Sequence, residues 1–254
     1  MEIEVDTTKT ATKNASELYE RAKKLEGKLV KAKTVLEELK AKLDDIEVRK
    51  VKEKDVLKVR KELKWYEKFR WFMSSTGKLI IGGRDATSNE VLMKKQASDE
   101  WMVFHAEITG APFFVIRGNP DEADIREAAQ AAGIFSKAWP KGYGSIGVYH
   151  APRNQFSKTA QSGEYISKGA FVVRGKREWK KVVLQASVGV KDGQVTCGPL
   201  DAIESWADKF VRIEPGDKKP GEITKKISHA LGVDPDDVQR ALPPGKSKII
   251  EKRG

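Results

Sequence analysis

Leu18, Ala22, Leu25, Leu29, Ala32, Leu36, Leu39, Leu43 and Ile46 follow one another at alternating steps of four and three residues. That spacing puts all of them on one stripe of a helix, the seam of a coiled coil about four heptads long. The stretch must therefore be a long helix whose apolar stripe calls for a partner. Asn14 or Ser16 can cap its start, with Glu17 and Glu20 in a first turn where the helix dipole favours acids. After Ile46 the seam positions become Lys50 and Glu53, and the pattern returns one residue out of phase at Val56, Val59, Leu63 and Tyr66. The register breaks near residues 47–55, as a hairpin turn or as a stutter in one helix, and neither Gly nor Pro marks a turn there.

Past Lys64 the texture changes to short apolar runs punctuated by Gly, Pro and Asn. These runs predict strands at Lys78–Ile81, Trp101–His105, Phe113–Arg117, Ser145–Tyr149, Ala170–Arg174, Lys181–Val190, Gln194–Cys197 and Phe210–Ile213. Helical patterns fall at Thr87–Gln96, Glu122–Ala138, Leu200–Ala207, Glu222–Leu231 and Pro235–Leu242. Strands and helices mix without strict alternation, so the expected class is α+β: a mixed β-sheet core flanked by helices, with an N-terminal coiled-coil arm. The expected organisation is a flexible N-terminus at 1–13, the arm at 14–64, a core at 65–198 and a C-terminal extension at 199–254.

Charge narrows the partners. With 48 Lys+Arg against 37 Asp+Glu the formal net charge is +11, which favours polyanions such as nucleic acid. Cys197 is the only cysteine, so neither an internal disulfide nor a Cys-rich zinc site is possible within one chain, and a reducing compartment is the expected setting. No run approaches the roughly 18 apolar residues of a membrane span, and the N-terminus lacks the order of a signal peptide. A cytoplasmic protein without membrane contact and without cofactor is expected.

Residues 65–90 concentrate the candidate chemistry. Trp65, Phe69 and Phe72 lie at i, i+4, i+7, the buried face of a helix, which leaves Tyr66 and Trp71 off that face as stackers. Gly82-Gly83-Arg84-Asp85 then leads into Thr87-x-x-Glu90, a capping box. Such a turn can offer free N–H groups to an anion, with Arg70, Lys78 and Arg84 nearby, or it can be a plain strand-to-helix turn. Further on, Ser157, Lys158, Thr159 and Ser162 supply donors suited to phosphate, and Arg174-Gly-Lys176-Arg177 closes a strand with a basic cluster. Catalysis has little support, because no His pair has metal-ligand spacing and Cys197 has no CxxC companion.

In order along the chain stand Trp65-Tyr-Glu-Lys-Phe-Arg-Trp-Phe72, Gly82-Gly-Arg-Asp-Ala86 with Asn89-Glu90, and His105-Ala106. Ser136-Lys-Ala-Trp139, Ser157-Lys-Thr-Ala160, Gly163-Glu-Tyr165 and Phe171-Val-Val-Arg-Gly-Lys176 follow. Together they resemble the RNA-binding (NFACT-R) module of the NFACT family, from about residue 60 to residue 190. Full-length members of that family rescue stalled large ribosomal subunits, and several extend the nascent chain without mRNA. The resemblance implies a stand-alone protein of the archaeal kind that lacks the N-terminal domain needed for such tailing. It implies RNA binding, to tRNA or ribosomal RNA and with the large ribosomal subunit as partner, within ribosome-associated quality control.

The expected site is non-enzymatic. Phosphate contacts are assigned to Arg84, Lys158, Arg174, Lys176 and Arg177, with Asn89, His105 and Thr159 orienting the site, Arg70 and Asp85 counted among the RNA-binding residues, and the coil serving a homodimer or a protein arm. Two rival readings remain: an RNA-processing or RNA-modifying enzyme centred on Asp85, His105 and Glu107, and a coiled-coil assembly adaptor whose charge serves solubility.

Overall fold

The computed structural model describes residues 5–54, 64–159 and 166–253. The chain divides into two units, Met1–Glu62 and Leu63–Gly254. The first is dominated by helix α1, Ala11–Lys54. It starts earlier than the sequence suggests because Asn14 works from inside the first turn. Asp6 N–H donates to Asn14 Oδ1 (3.0 Å) and Asn14 Nδ2 donates to the Asp6 carbonyl (2.9 Å), tying the preceding turn to the helix. The backbone stays helical through residues 47–54, where the register was expected to break. The resumed pattern at Val56, Val59 and Leu63 lies outside the described residues. The seam leucines Leu25, Leu29, Leu36 and Leu39 are all exposed in the single chain.

The second unit opens with strands β1 (Arg70–Met73) and β2 (Leu79–Gly82), then helix α2 (Ala86–Val91), which widens into a π-helical turn over Leu92–Gln96. Strands β3 (Met102–Ala106) and β4 (Phe113–Ile116), helix α3 (Glu122–Ile134) and strand β5 (Ser145–Pro152) follow. A short ribbon, β6 (Phe156–Ser157) with β7 (Val172–Val173), precedes β8 (Glu178–Val183). The first sheet has six strands in the order β1-β2-β4-β3-β5-β8. The rest comprises β9 (Ala186–Lys191), β10 (Gln194–Gly198), α4 (Leu200–Trp206), β11 (Lys209–Lys218), α5 (Pro220–Leu231), α6 (Pro235–Ala241) and β12 (Ser247–Arg253). Its four-stranded sheet runs β10-β9-β11-β12.

The α+β class holds, and every strand pair among the described residues is antiparallel. One face of the first sheet, through Phe72, Ile80, Phe104, Phe114 and Ile116, packs on the alanines of α3 and on the second sheet. Its other face, through Phe69, Ile81, Val103, Phe113 and Val115, is closed by Leu92, Met93 and Phe156. β4 is buried on both faces, which is why it reads as a continuous apolar run.

Several local expectations give way to sheet geometry. Trp65–Phe72 is not a helix. Its second half is β1, so Phe69 and Phe72 are both buried but in cores on opposite faces of the sheet, while Trp65 is exposed. Trp71 is buried against Tyr66 and Trp206 rather than free to stack on a base. The run Lys181–Val190 splits at Leu184, where the chain passes from the first sheet to the second. Apolar alternation continues through the crossing, so periodicity alone does not reveal it. The expected boundary after Gly198 falls inside one core, since β9 pairs both with β10 before it and with β11 after it.

The double glycine is a packing device. Neither residue has positive φ. A Cβ at Gly82 would sit 2.4 Å from the Phe114 ring, and one at Gly83 would sit 1.8 Å from Asn89 Oδ1. Asn89 Oδ1 in turn accepts from the Phe113 N–H (3.2 Å), locking α2 onto β4. Gly83→Ala should therefore destabilise the unit by about 2 kcal/mol or more. Gly83→Ala/Asn89→Ala should cost less than the sum of the two single losses, because the contacts under 3 Å are all to the Asn89 side chain and only its Cα, at 3.1 Å, stays close. Denaturant midpoints of the three variants check this, and additive losses would contradict it.

Candidate nucleic-acid interface

The turn after β2 uses its own acceptors. Asp85 is the N-cap of α2: its carboxylate accepts from Ser88 N–H (2.7 Å), and Ser88 Oγ accepts from the N–H groups of Arg84 and Asp85 (2.8 Å each). Gly83 N–H donates to the Phe113 carbonyl (3.0 Å). The capping box is thus Asp85 with Ser88, not Thr87 with Glu90, and these N–H groups are committed within the turn. Hydrogen bonds from Ser88 hold the Asp85 carboxyl below the usual carboxylate range.

Glu90 has another task. It accepts from Lys94 Nζ (2.6 Å) and from Gly169 N–H (3.1 Å), with Lys158 Nζ 3.5 Å away. These contacts hold its carboxyl down at about 2. They bind the loop around Gly169 to α2, and Gly169 fits because a Cβ there would come within 2.6 Å of Ala86. Lys158 completes the tie by donating to the Ser167 carbonyl (2.9 Å).

Between this loop, α2 and the edge of β3 and β4 lies a cleft of about 490 Å³. The sequence-predicted Arg70, Arg84, Asp85, Asn89 and His105 all line it. Arg84 is held by three backbone carbonyls, those of Lys68 (3.2 Å), Phe69 (3.0 Å) and Arg240 (2.8 Å). Arg70 donates to the carbonyls of Ala241 (3.4 Å) and Leu242 (3.2 Å), and its guanidinium lies 4.2 Å from the centre of the Phe135 ring. Among the described residues no carboxylate comes within ion-pair distance of either arginine. Burial, and then the nearby Arg84, lowers Arg70 to about 10, and burial followed by Arg240 lowers Arg84. Both remain charged at neutral pH.

The other predicted residues fall outside the cleft lining. Lys158 supports the loop from behind, and Thr159 lends its carbonyl to Arg174 (3.0 Å). Lys176 is exposed beside Gly175, and Arg177 lies over the ring of Tyr149, itself a cleft residue, at 5.3 Å. Ser162 lies outside the described residues.

Lys137, Lys168, Tyr149 and Phe171 also line the cleft and had no assigned role in the sequence reading. Lys137 stands inside a motif already singled out, Ser136-Lys-Ala-Trp139. Its Nζ would lie 3.0 Å from a Cβ at Gly110, so the amine folds over that glycine at the rim. Lys168 follows Ser167 on the loop held by Glu90 and closes the polar, loop-like run that begins at Arg153, whose cations the sequence marks without assigning this one a contact.

With this geometry in place the family can be stated. Residues 68–175 match the NFACT protein RNA binding domain, and the chain belongs to the NFACT family. It is 40% identical over 206 residues to the archaeal Rqc2 homolog aRqcH of Methanocaldococcus jannaschii, covering 77% of this chain and 31% of that protein. It is 36% identical over 198 residues to the ribosome quality control complex subunit NEMF homolog of Drosophila melanogaster (72% of this chain, 18% of that protein). The human subunit NEMF is 39% identical over 121 residues, 45% of this chain and 11% of that protein. This chain thus spans less than a third of the length of each of these relatives. A solved structure of the C-terminal part of the fibronectin/fibrinogen-binding protein from Streptococcus suis is 21% identical, with a TM-score of 0.40 over 68% of this chain and 76% of that one.

His105 gives the cleft wall a pH signature. Its ring packs 4.6 Å from Phe113 and 5.5 Å from Tyr149, and its buried Nδ1 has no hydrogen-bond partner among the described residues. Burial lowers it to about 4, against a smaller opposing effect of the nearby Ala111 and Ala106 backbone. Folded His105 therefore stays neutral where the unfolded chain has already taken a proton. Its share of stability is intact above pH 6.5 and is lost as pH falls toward 4, by up to roughly 3 kcal/mol. His105→Phe should flatten that loss in denaturation measured at stepped pH. An unchanged slope between pH 6.5 and 4 would contradict the assignment.

Proposed function

We propose that this chain is a non-enzymatic RNA-binding module that docks on tRNA or ribosomal RNA and acts with the large ribosomal subunit in ribosome quality control. The observation that carries the reading is the pair Arg70 and Arg84. A fold that seats two guanidinium groups in one recess without carboxylate partners leaves positive charge that a polyanion can neutralise. Lys137 and Lys168 extend this charge along the rim, and Lys176 and Arg177 extend it toward β8. The RNA-binding family match and the names of the relatives support RNA as the polyanion.

In this reading Arg70 and Arg84 are preorganised and contact phosphate without losing side-chain freedom, while the rim lysines steer approach. Neutral His105, with Asn89, shapes the floor. Helix α1 serves assembly: its exposed leucine seam supports pairing with a second copy of the chain. Among the described residues no helix is long and apolar enough to cross a membrane, which agrees with work in the cytoplasm.

Binding of purified tRNA and of ribosomal RNA, followed across a salt series, tests the reading. Affinity should fall linearly with log salt, and Lys137→Ala and Lys168→Ala should each reduce the slope by about one if each lysine meets a phosphate. Tight binding indifferent to salt, or no binding at low salt, would overturn it.

A further inference from the structure

Cross-strand register builds a row of rings over one face of the first sheet. Phe113 on β4 stands opposite His105 on β3, His105 opposite Tyr149 on β5, and Tyr149 opposite Trp179 on β8. The ring centres are 4.6, 5.5 and 5.3 Å apart in turn. Along the row burial gives way to solvent: Phe113 is 3% exposed and Trp179 is 49% exposed. β8 is an edge strand, so nothing in the sheet lies beyond Trp179.

A half-exposed tryptophan on an edge strand forgoes part of the stabilisation that burying it would give. The structure instead fixes its surroundings. Arg177 lies over both Tyr149 (5.3 Å) and Trp179 (5.9 Å). Lys181, exposed on the same face two residues on, stands opposite Gly147. That glycine keeps the surface beside the indole low: a Cβ there would lie 3.8 Å from the Trp179 ring and 3.1 Å from the Glu107 carboxylate, which borders the patch. The result is an aromatic corner, with the Tyr149 and Trp179 rings meeting at 60°, Arg177 over both and Lys181 alongside. It shares Tyr149 with the cleft, so it continues the charged recess outward.

We propose that Tyr149, Arg177 and Trp179 form a stacking platform for an unpaired RNA base, next to the cleft that holds the phosphates. Cations beside the rings suit a ligand that carries both a π-face and negative charge, and an unpaired nucleotide carries both. A base inside an A-form duplex hides its faces, so the platform selects loops, bulges or ends. The inference rests on the RNA-binding reading above and adds a preference for single strands. Trp179 lies beyond the stretch that matches the family's RNA-binding domain, residues 68–175.

The test uses the full chain with two probes, a short single-stranded RNA of mixed sequence and the same strand annealed to its complement. The single strand should bind more tightly and quench part of the tryptophan emission. Trp179→Ala should weaken single-strand binding by about tenfold. The same change should leave duplex binding and the salt slope as they were. Trp179→Phe should keep most of the affinity while losing that part of the quenching. Equal affinity for the two probes, full affinity in Trp179→Ala, or equal losses in the Ala and Phe variants would overturn the platform while RNA binding stood. Failure of the unaltered chain to bind either probe would instead remove the RNA-binding reading, and the platform with it.

Discussion

Two arginines held by backbone carbonyls set the terms for the rest of this fold. Carbonyl dipoles satisfy the geometry of a guanidinium but leave its formal charge uncompensated, and a charge removed from water without a counterion is costly. The cost appears in the lowered proton affinity of Arg70 and Arg84, each depressed first by burial and then by a neighbouring arginine. A chain built for stability alone would place a carboxylate there, as it does for Arg212, which pairs with Glu204 (2.6 Å) and Glu251 (2.7 Å) in the second sheet. The contrast within one molecule is that the acid lining the cleft, Asp85, is bonded to Ser88 and pairs with neither arginine, which leaves the recess with a surplus of positive charge.

Holding those charges in place takes close approaches between elements that are distant in sequence. Gly82 makes room in β2 for the Phe114 ring of β4, Gly83 lets Asn89 of α2 bond to β4, Gly169 lets its loop press onto α2, and Glu90 gathers Lys94, Lys158 and the Gly169 N–H. The cations nearest Glu90 thus serve structure, and Lys158 is one of them. Proximity to the site does not decide which cation is free to meet a ligand; the acceptor that each one already has does.

Much of this was legible in the residues and some was not. The α+β class, most strands and the involvement of Arg70, Arg84, Asp85, Asn89 and His105 in one place follow from apolar runs and ordered motifs. The helix read at Trp65–Phe72 failed because i, i+4, i+7 spacing over eight residues also suits a turn followed by a strand that is buried on both sides. The anion-binding turn failed in its details because Ser88, unremarked between two motif residues, satisfies the N–H groups. Tyr149, Lys137 and Lys168 were hidden for another reason. They reach the cleft from β5, from the turn after α3 and from the Gly169 loop, and only the tertiary fold makes them neighbours.

The same logic redraws the working unit. The matched domain ends at residue 175, yet the acceptors of Arg70 and Arg84 include the carbonyls of Arg240, Ala241 and Leu242. Those carbonyls stand at the end of α6, where the helix leaves its last C=O groups without intrahelical partners. A helix C-terminus is the negative end of the helix dipole, so it suits a guanidinium without neutralising it. The segment is held in turn by Val238 and Leu242 in the shared core, and β12, which follows it, by the bond from Trp139 Nε1 to Ser247 Oγ (3.1 Å). Residues after Gly198, which the sequence reading set apart as an extension, supply the acceptors that orient the cleft's two central charges.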